Sequence, residues 1–105
     1  MTQEEINKRN NAILAVMGGP KALKESGLLG NMMDEEFSLM GPEDLQYNTS
    51  WDWLIPAWSK IRHALTPGMI ISAIGFIDEA ELEKLWKLLS QVAMIWCKDY
   101  NIKYK

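Results

Sequence analysis

The chain has 105 residues, of which 48% are hydrophobic, so its length favours one domain with a core of its own. Eleven Lys and Arg against fourteen Asp and Glu give a formal net charge of −3, which disfavours autonomous binding to the phosphate backbone of a nucleic acid. The single cysteine, Cys97, excludes an internal disulfide, and no window approaches the ~18 uninterrupted apolar residues that a membrane span needs.

The N-terminal segment predicts two helices separated by a pair of glycines. Thr2 is followed three residues later by Glu5, a capping-box pattern, and apolar side chains then recur with a helical period. The glycines at 18–19 end this first helix, which is predicted over 3–17. Pro20 suits the first position of a second, shorter helix.

The segment 31–46 is the longest predicted loop. It alternates short apolar groups with acidic pairs, and Asp34 is an acceptable N-cap for one or two helical turns that must end by Gly41. Loops of this length are where binding segments tend to lie.

Three of the five tryptophans lie in the segment 47–65, which predicts a helix that the rest of the chain packs around. Its apolar positions follow the spacing of one buried stripe: Trp51, Leu54, Ile55, Trp58, Ile61 and Leu65. Ser50 is the favoured N-cap. Pro56 lies too far inside for a first-turn proline, so the helix either begins just before it or bends there. Trp53 falls on the polar flank and is predicted to be half-exposed.

The apolar run at 69–77 follows a clear breaker at 66–68. Its β-branched composition favours a buried strand, or a short hairpin bent at Gly75, although its length also fits a buried helix. Asp78 and Glu81 then form a second capping box, which opens the longest helix. The predicted fold is one domain over 1–105, α+β and helix-dominated, with three to four helices and a short strand or hairpin before a long C-terminal helix.

Three segments carry a resemblance: Met-Gly-Gly at 17–19, the Tyr-Asn-Thr-Ser-Trp-Asp-Trp-Leu-Ile-Pro block at 47–56, and Trp-Cys-Lys-Asp-Tyr-Asn at 96–101. With them the chain resembles, in outline, small proteins of unknown function encoded by Bacteroidetes genomes and their phages. The resemblance implies a stretch of strand character before the last helix and a phage or mobile-element setting, where small acidic proteins often bind host factors. The final helix departs from the usual aromatic-Tyr-Asn ending because Cys97 and Lys98 follow Trp96.

The inventory of catalytic side chains is thin. There is one histidine, one cysteine, no glycine-rich phosphate loop and no pair of Cys or His at metal spacing. His63 is predicted as a surface residue of the tryptophan helix, and Cys97 as a small, partly buried side chain without an activating base. The acidic groups at 34–36 and 43–44 lack the spacing of a calcium loop. We therefore expect no catalytic residue, no metal and no cofactor.

These observations predict a small protein-binding module. The prediction includes binding to a second copy of the chain, because nearly half of the residues are apolar. Its predicted contact residues are Tyr47, Trp53, Lys60 and His63, an edge beside the acidic loop. In the setting that the resemblance implies, the module would be a phage accessory or inhibitor protein acting on a host factor. The alternative is a nucleic-acid- or nucleotide-associated factor, and a small enzyme comes third. No secretory leader is recognisable, so we expect a cytoplasmic protein that binds no membrane.

Overall fold

The computed structural model describes residues 1–30 and 33–104, and within these residues the chain forms six α-helices and no β-strand. The helices are α1 (Gln3–Val16), α2 (Pro20–Glu25), α3 (Asp34–Ser38), α4 (Trp51–Ile61), α5 (Pro67–Asp78) and α6 (Leu82–Asp99). Single turns of 3-10 helix cover Pro42–Asp44 and Arg62–Ala64. Asn31 and Met32, the first two residues of the predicted loop, lie outside the described residues.

The predicted α+β fold class is wrong, because the run at 69–77 belongs to α5 and forms neither a strand nor a hairpin. The Thr66 hydroxyl accepts a hydrogen bond from the Met69 N–H, and Pro67 occupies the first turn, where its missing N–H is not needed. A β-branched composition favours strands only when a sheet is there to pack against. The described residues offer no other strand, so a helix satisfies the backbone of this segment internally.

The buried face of α4 is rotated from the predicted stripe. Ser50 is the N-cap as predicted, although its side chain makes no capping hydrogen bond, and Pro56 lies inside one continuous helix. Most positions of α4 are apolar, so the period alone does not settle which face is innermost. The face that packs inward carries Trp53, Leu54, Ala57 and Ile61, whereas Ile55 is exposed and Trp51 and Trp58 are half-buried.

The core is centred on α1 and α6, which pack against each other along their apolar faces. Asn10 is buried between them, and its side-chain oxygen accepts a hydrogen bond from Trp86 Nε1 at 2.8 Å. Its amide donates to Asn48 Oδ1 at 3.0 Å and to the Leu45 carbonyl at 3.4 Å. A satisfied buried network of this kind sets the relative position of the groups it joins, here α1, α6 and the loop that leads into α4.

Three helices end in the same Schellman motif, in which one residue past the C-cap adopts a left-handed conformation. In α5 the Glu81 N–H donates to the Phe76 carbonyl at 2.8 Å, and the Ala80 N–H donates to the Ile77 carbonyl at 3.1 Å. The left-handed residues after α1, α5 and α6 are Gly18 (φ 111°), Ala80 (φ 56°) and Asn101 (φ 55°).

The end of α5 shows that the predicted start of the longest helix is wrong. Asp78 is the last residue of α5, so it does not cap α6. Glu81 is the N-cap of α6 instead, and its side chain makes no capping hydrogen bond. Asp78 and Glu81 have the spacing of a capping box, but α5 continues through Asp78, so no helix starts there.

Candidate protein-binding surface

Tyr47 and Trp53 lie together, but inside the core. Both side chains are almost fully buried, and their rings meet edge to face with centroids 5.2 Å apart and an interplanar angle of 83°. Such a pair stabilises packing through the positive edge of one ring against the negative face of the other. The expectation of a half-exposed Trp53 is therefore wrong, and Ala57, one helical turn further along α4, is fully buried as well.

Lys60 and His63 lie at the surface, near the end of α4 and in the 3-10 turn that follows it. His63 lines a shallow pocket of about 300 Å³ together with residues of α6, including Ile95, Trp96 and Asp99. Lys60 does not line this pocket. The structure thus brings Tyr47 and Trp53 together in the core. It places the other two predicted contact residues, Lys60 and His63, at the surface.

The outer face of α5 exposes apolar side chains to water. Of its twelve residues only Ala73 is buried. The exposed fraction is 72% for Ile71 and 48% for Ile74. No charged residue occurs between Pro67 and Ile77. The helix packs against α6 on its inner side and leaves this apolar face in water.

Two glycines interrupt the isoleucines on this helix. A Cβ atom added at Gly68 or at Gly75 would meet no other atom within 4 Å, so neither glycine is required by crowding within the chain. Neither has the positive φ found at the glycines of the turns. Their place on an exposed helix is therefore not explained by the folding of one copy.

Sequence reasoning missed the α5 face because a buried strand was expected there. The signal that could have found it is the Thr-Pro pair at 66–67, which is a helix start as well as a breaker. A helix of twelve residues exposes a continuous strip along its axis, and a run without charge in that strip predicts an apolar surface.

The nucleophile that the sequence offers is sequestered. Cys97 is buried, and its Sγ lies 3.7 Å from the carbonyl of Ala12 in α1. Burial raises the pKa of the Cys97 thiol, which disfavours the reactive thiolate. Among residues 1–30 and 33–104 no group of three His, Cys, Asp or Glu side chains is placed to hold a metal ion.

Comparisons with protein-family models, with curated proteins and with solved structures each return no match to this chain. Within the described part of the chain, none of the helices has the length and apolar character needed to cross a membrane.

Proposed function

We propose that this chain is a small protein-binding module and that it binds its partner through the outer face of α5. The observation that carries the proposal is that α5 buries one residue of twelve while Ile71 and Ile74 stay in water. Contiguous apolar surface of this kind marks interaction sites on small proteins. In the phage or mobile-element setting that the resemblance implies, the module acts as an accessory or inhibitor protein on a host factor.

The exposed isoleucines of this face set the apolar free energy that a partner gains by covering it. Full burial of an Ile or Met side chain is worth ~1.5–3 kcal/mol. The exposed fractions of Ile71 and Ile74 together correspond to a little more than one such side chain, or about 2–4 kcal/mol from this chain's side of the interface. The partner's apolar surface adds to this value, and the loss of translational and rotational freedom on association opposes it.

Site-specific photo-crosslinking in the native cell tests this proposal. A photoreactive amino acid at position 71 should give a discrete adduct, and the adduct should disappear when Ile74→Glu is introduced in the same chain. The same probe at Ser59, an exposed position of α4, is the matched control and should give none. Equal labelling from both positions, or an adduct that Ile74→Glu does not weaken, would refute the α5 face as the binding surface.

The second candidate function, a nucleic-acid- or nucleotide-associated factor, has one observation in its favour. Lys60, Arg62 and His63 are all exposed around the end of α4. Retention on nucleic acid that falls steeply with salt, and that is lost in a Lys60→Ala, Arg62→Ala double variant, would favour this candidate. A net charge of −3 opposes it.

A further inference from the structure

We infer that the occupant of the α5 face is a second copy of this chain, with the two α5 helices packed antiparallel about a two-fold axis. This inference rests on the proposed function and names the partner of the same surface. Isoleucine, glycine and charge are distributed along the exposed side of α5 in a pattern that fits a second copy of the same helix.

The centre line of the face follows from helical geometry. Successive residues rotate by about 100° around the axis, so the positions farthest from the buried Ala73 are 68, 71, 75 and 78. All four are exposed, and they are separated by three, four and three residues, the spacing at which antiparallel helices interlock side chains. In order they carry Gly68, Ile71, Gly75 and Asp78.

The two glycines on this line gain a use only when another backbone approaches. Glycine within a helix is less favourable than alanine, and neither glycine has a conformation or a crowded neighbour that requires it. Where a second helix lies close, a glycine leaves the gap that a partner side chain can fill. An exposed isoleucine between two glycines has the side chain that can fill such a gap in the second copy.

An antiparallel arrangement places each isoleucine over a glycine. In one register Ile71 of each copy lies opposite Gly75 of the other, and Gly68 lies opposite Asp78. Exchange of the two copies reproduces the same contacts, as a two-fold interface requires. The carboxylate of Asp78 then lies near the start of the other copy's α5, where the helix dipole is positive. A parallel pair would set like ends together, so charge favours the antiparallel one.

The size of the face predicts weak association. α5 is ~18 Å long at 1.5 Å per residue, and one helix face of this length covers much less than the ~800 Å² per partner of a standard stable interface. We therefore expect a dissociation constant between about 10 µM and 1 mM. Because the pairing is apolar at its centre, moderate salt should not disrupt it.

Sedimentation equilibrium of the purified chain up to about 1 mM tests the inference, since this range spans the expected dissociation constant. Ile74→Glu should weaken the dimer by about tenfold or more. Ile95→Glu is the matched control, because Ile95 in α6 is 52% exposed against 48% for Ile74, and it should leave the dimer unchanged. A monomer at every concentration, or a dimer weakened as much by Ile95→Glu as by Ile74→Glu, overturns the inference.

Gly75→Ala tests the register, because its two effects run in opposite directions. The added methyl group has open space within one copy and favours the helix, so the thermal midpoint measured at low concentration should rise. The same methyl occupies the gap under Ile71 of the second copy, so the dissociation constant should increase. Ser72→Ala, an exposed substitution on the flank of the same helix, should leave the dissociation constant unchanged. A dimer that is unaffected by Gly75→Ala overturns the antiparallel packing proposed here.

The crosslinking and sedimentation experiments separate the two proposals. A chain that stays monomeric but crosslinks from position 71 to a different protein overturns the self-pairing and leaves the binding function in place. A chain that stays monomeric and binds vesicles of neutral phospholipid through α5 overturns both. Adducts of twice the chain mass, lost with Ile74→Glu, support both.

Discussion

Replacing Asn10 with alanine should destabilise the protein by about 2–4 kcal/mol, although the change removes only a few atoms. The buried side chain makes two short hydrogen bonds, to Trp86 Nε1 at 2.8 Å and to Asn48 Oδ1 at 3.0 Å. The bond to Asn48 is worth ~0.5–1.5 kcal/mol net, and loss of the bond to Trp86 leaves the buried indole N–H without an acceptor, which costs ~1–3 kcal/mol. For a domain of this size that loss lowers the thermal midpoint by roughly 10–25 °C.

Urea denaturation followed by tryptophan fluorescence measures the loss. An unchanged slope of the free energy of unfolding against urea concentration would show that the unfolded state is not altered. Asn11→Ala is the matched control, since Asn11 is the next residue of α1 and only partly buried, and it should change the free energy of unfolding by less than about 0.5 kcal/mol. A double-mutant cycle of Asn10→Ala with Trp86→Phe should give a coupling of about 1–2 kcal/mol. The reasoning fails if Asn10→Ala is no more destabilising than Asn11→Ala, or if the coupling is zero.

Three further outcomes are expected. Ala80→Gly should raise the free energy of unfolding by about 0.5–1 kcal/mol in urea titration, because Ala80 has a φ of 56° that glycine adopts without strain. A lower free energy of unfolding would show that the methyl group of Ala80 contributes more than the relief of backbone strain. Trp53→Ala should lower it by about 3–5 kcal/mol, because the ring is buried against Tyr47; a midpoint near that of the wild type would place the ring outside the core. Burial raises the pKa of Tyr47 from 10.0 to about 12, so Tyr47 ionises at a lower pH in the unfolded chain than in the folded one. The free energy of unfolding therefore keeps its full value below pH 10 and falls by about 2–3 kcal/mol between pH 10 and 12. Tyr47→Phe should remove this pH dependence and Tyr100→Phe, at an exposed site, should not.

The parts of the fold that depend on local chemistry could be predicted from the sequence. Thr2 accepts a hydrogen bond from the Glu5 N–H at 3.2 Å, and α1 ends before Gly18, both as its start and stop signals indicated. The segment 69–77 could not be assigned in the same way, since its β-branched residues fit either a strand or a helix and only the neighbouring elements decide between them.

The candidate site was harder to predict because exposure depends on how a helix is rotated about its axis. Trp53 and Ile55 are two residues apart, and a rotation of α4 that places one in the core places the other in water. The α5 face was hidden for a different reason. An uncharged apolar run is normally expected inside a protein, so the sequence alone indicated burial where the structure shows exposed isoleucines.

The pairing of α1 with α6 has a consequence for how the chain folds. Asn10 and Trp86 are 76 residues apart in sequence, so their contact closes a long loop, whereas α5 and α6 are adjacent and can pack as a local hairpin. We expect the hairpin to form before α1 docks, so that Leu85→Ala slows folding while Asn10→Ala mainly speeds unfolding. During synthesis α1 is made first and α6 last, so the apolar face of α1, including Ile13, stays uncovered until α6 has formed. It is therefore the surface that a chaperone has the longest time to bind.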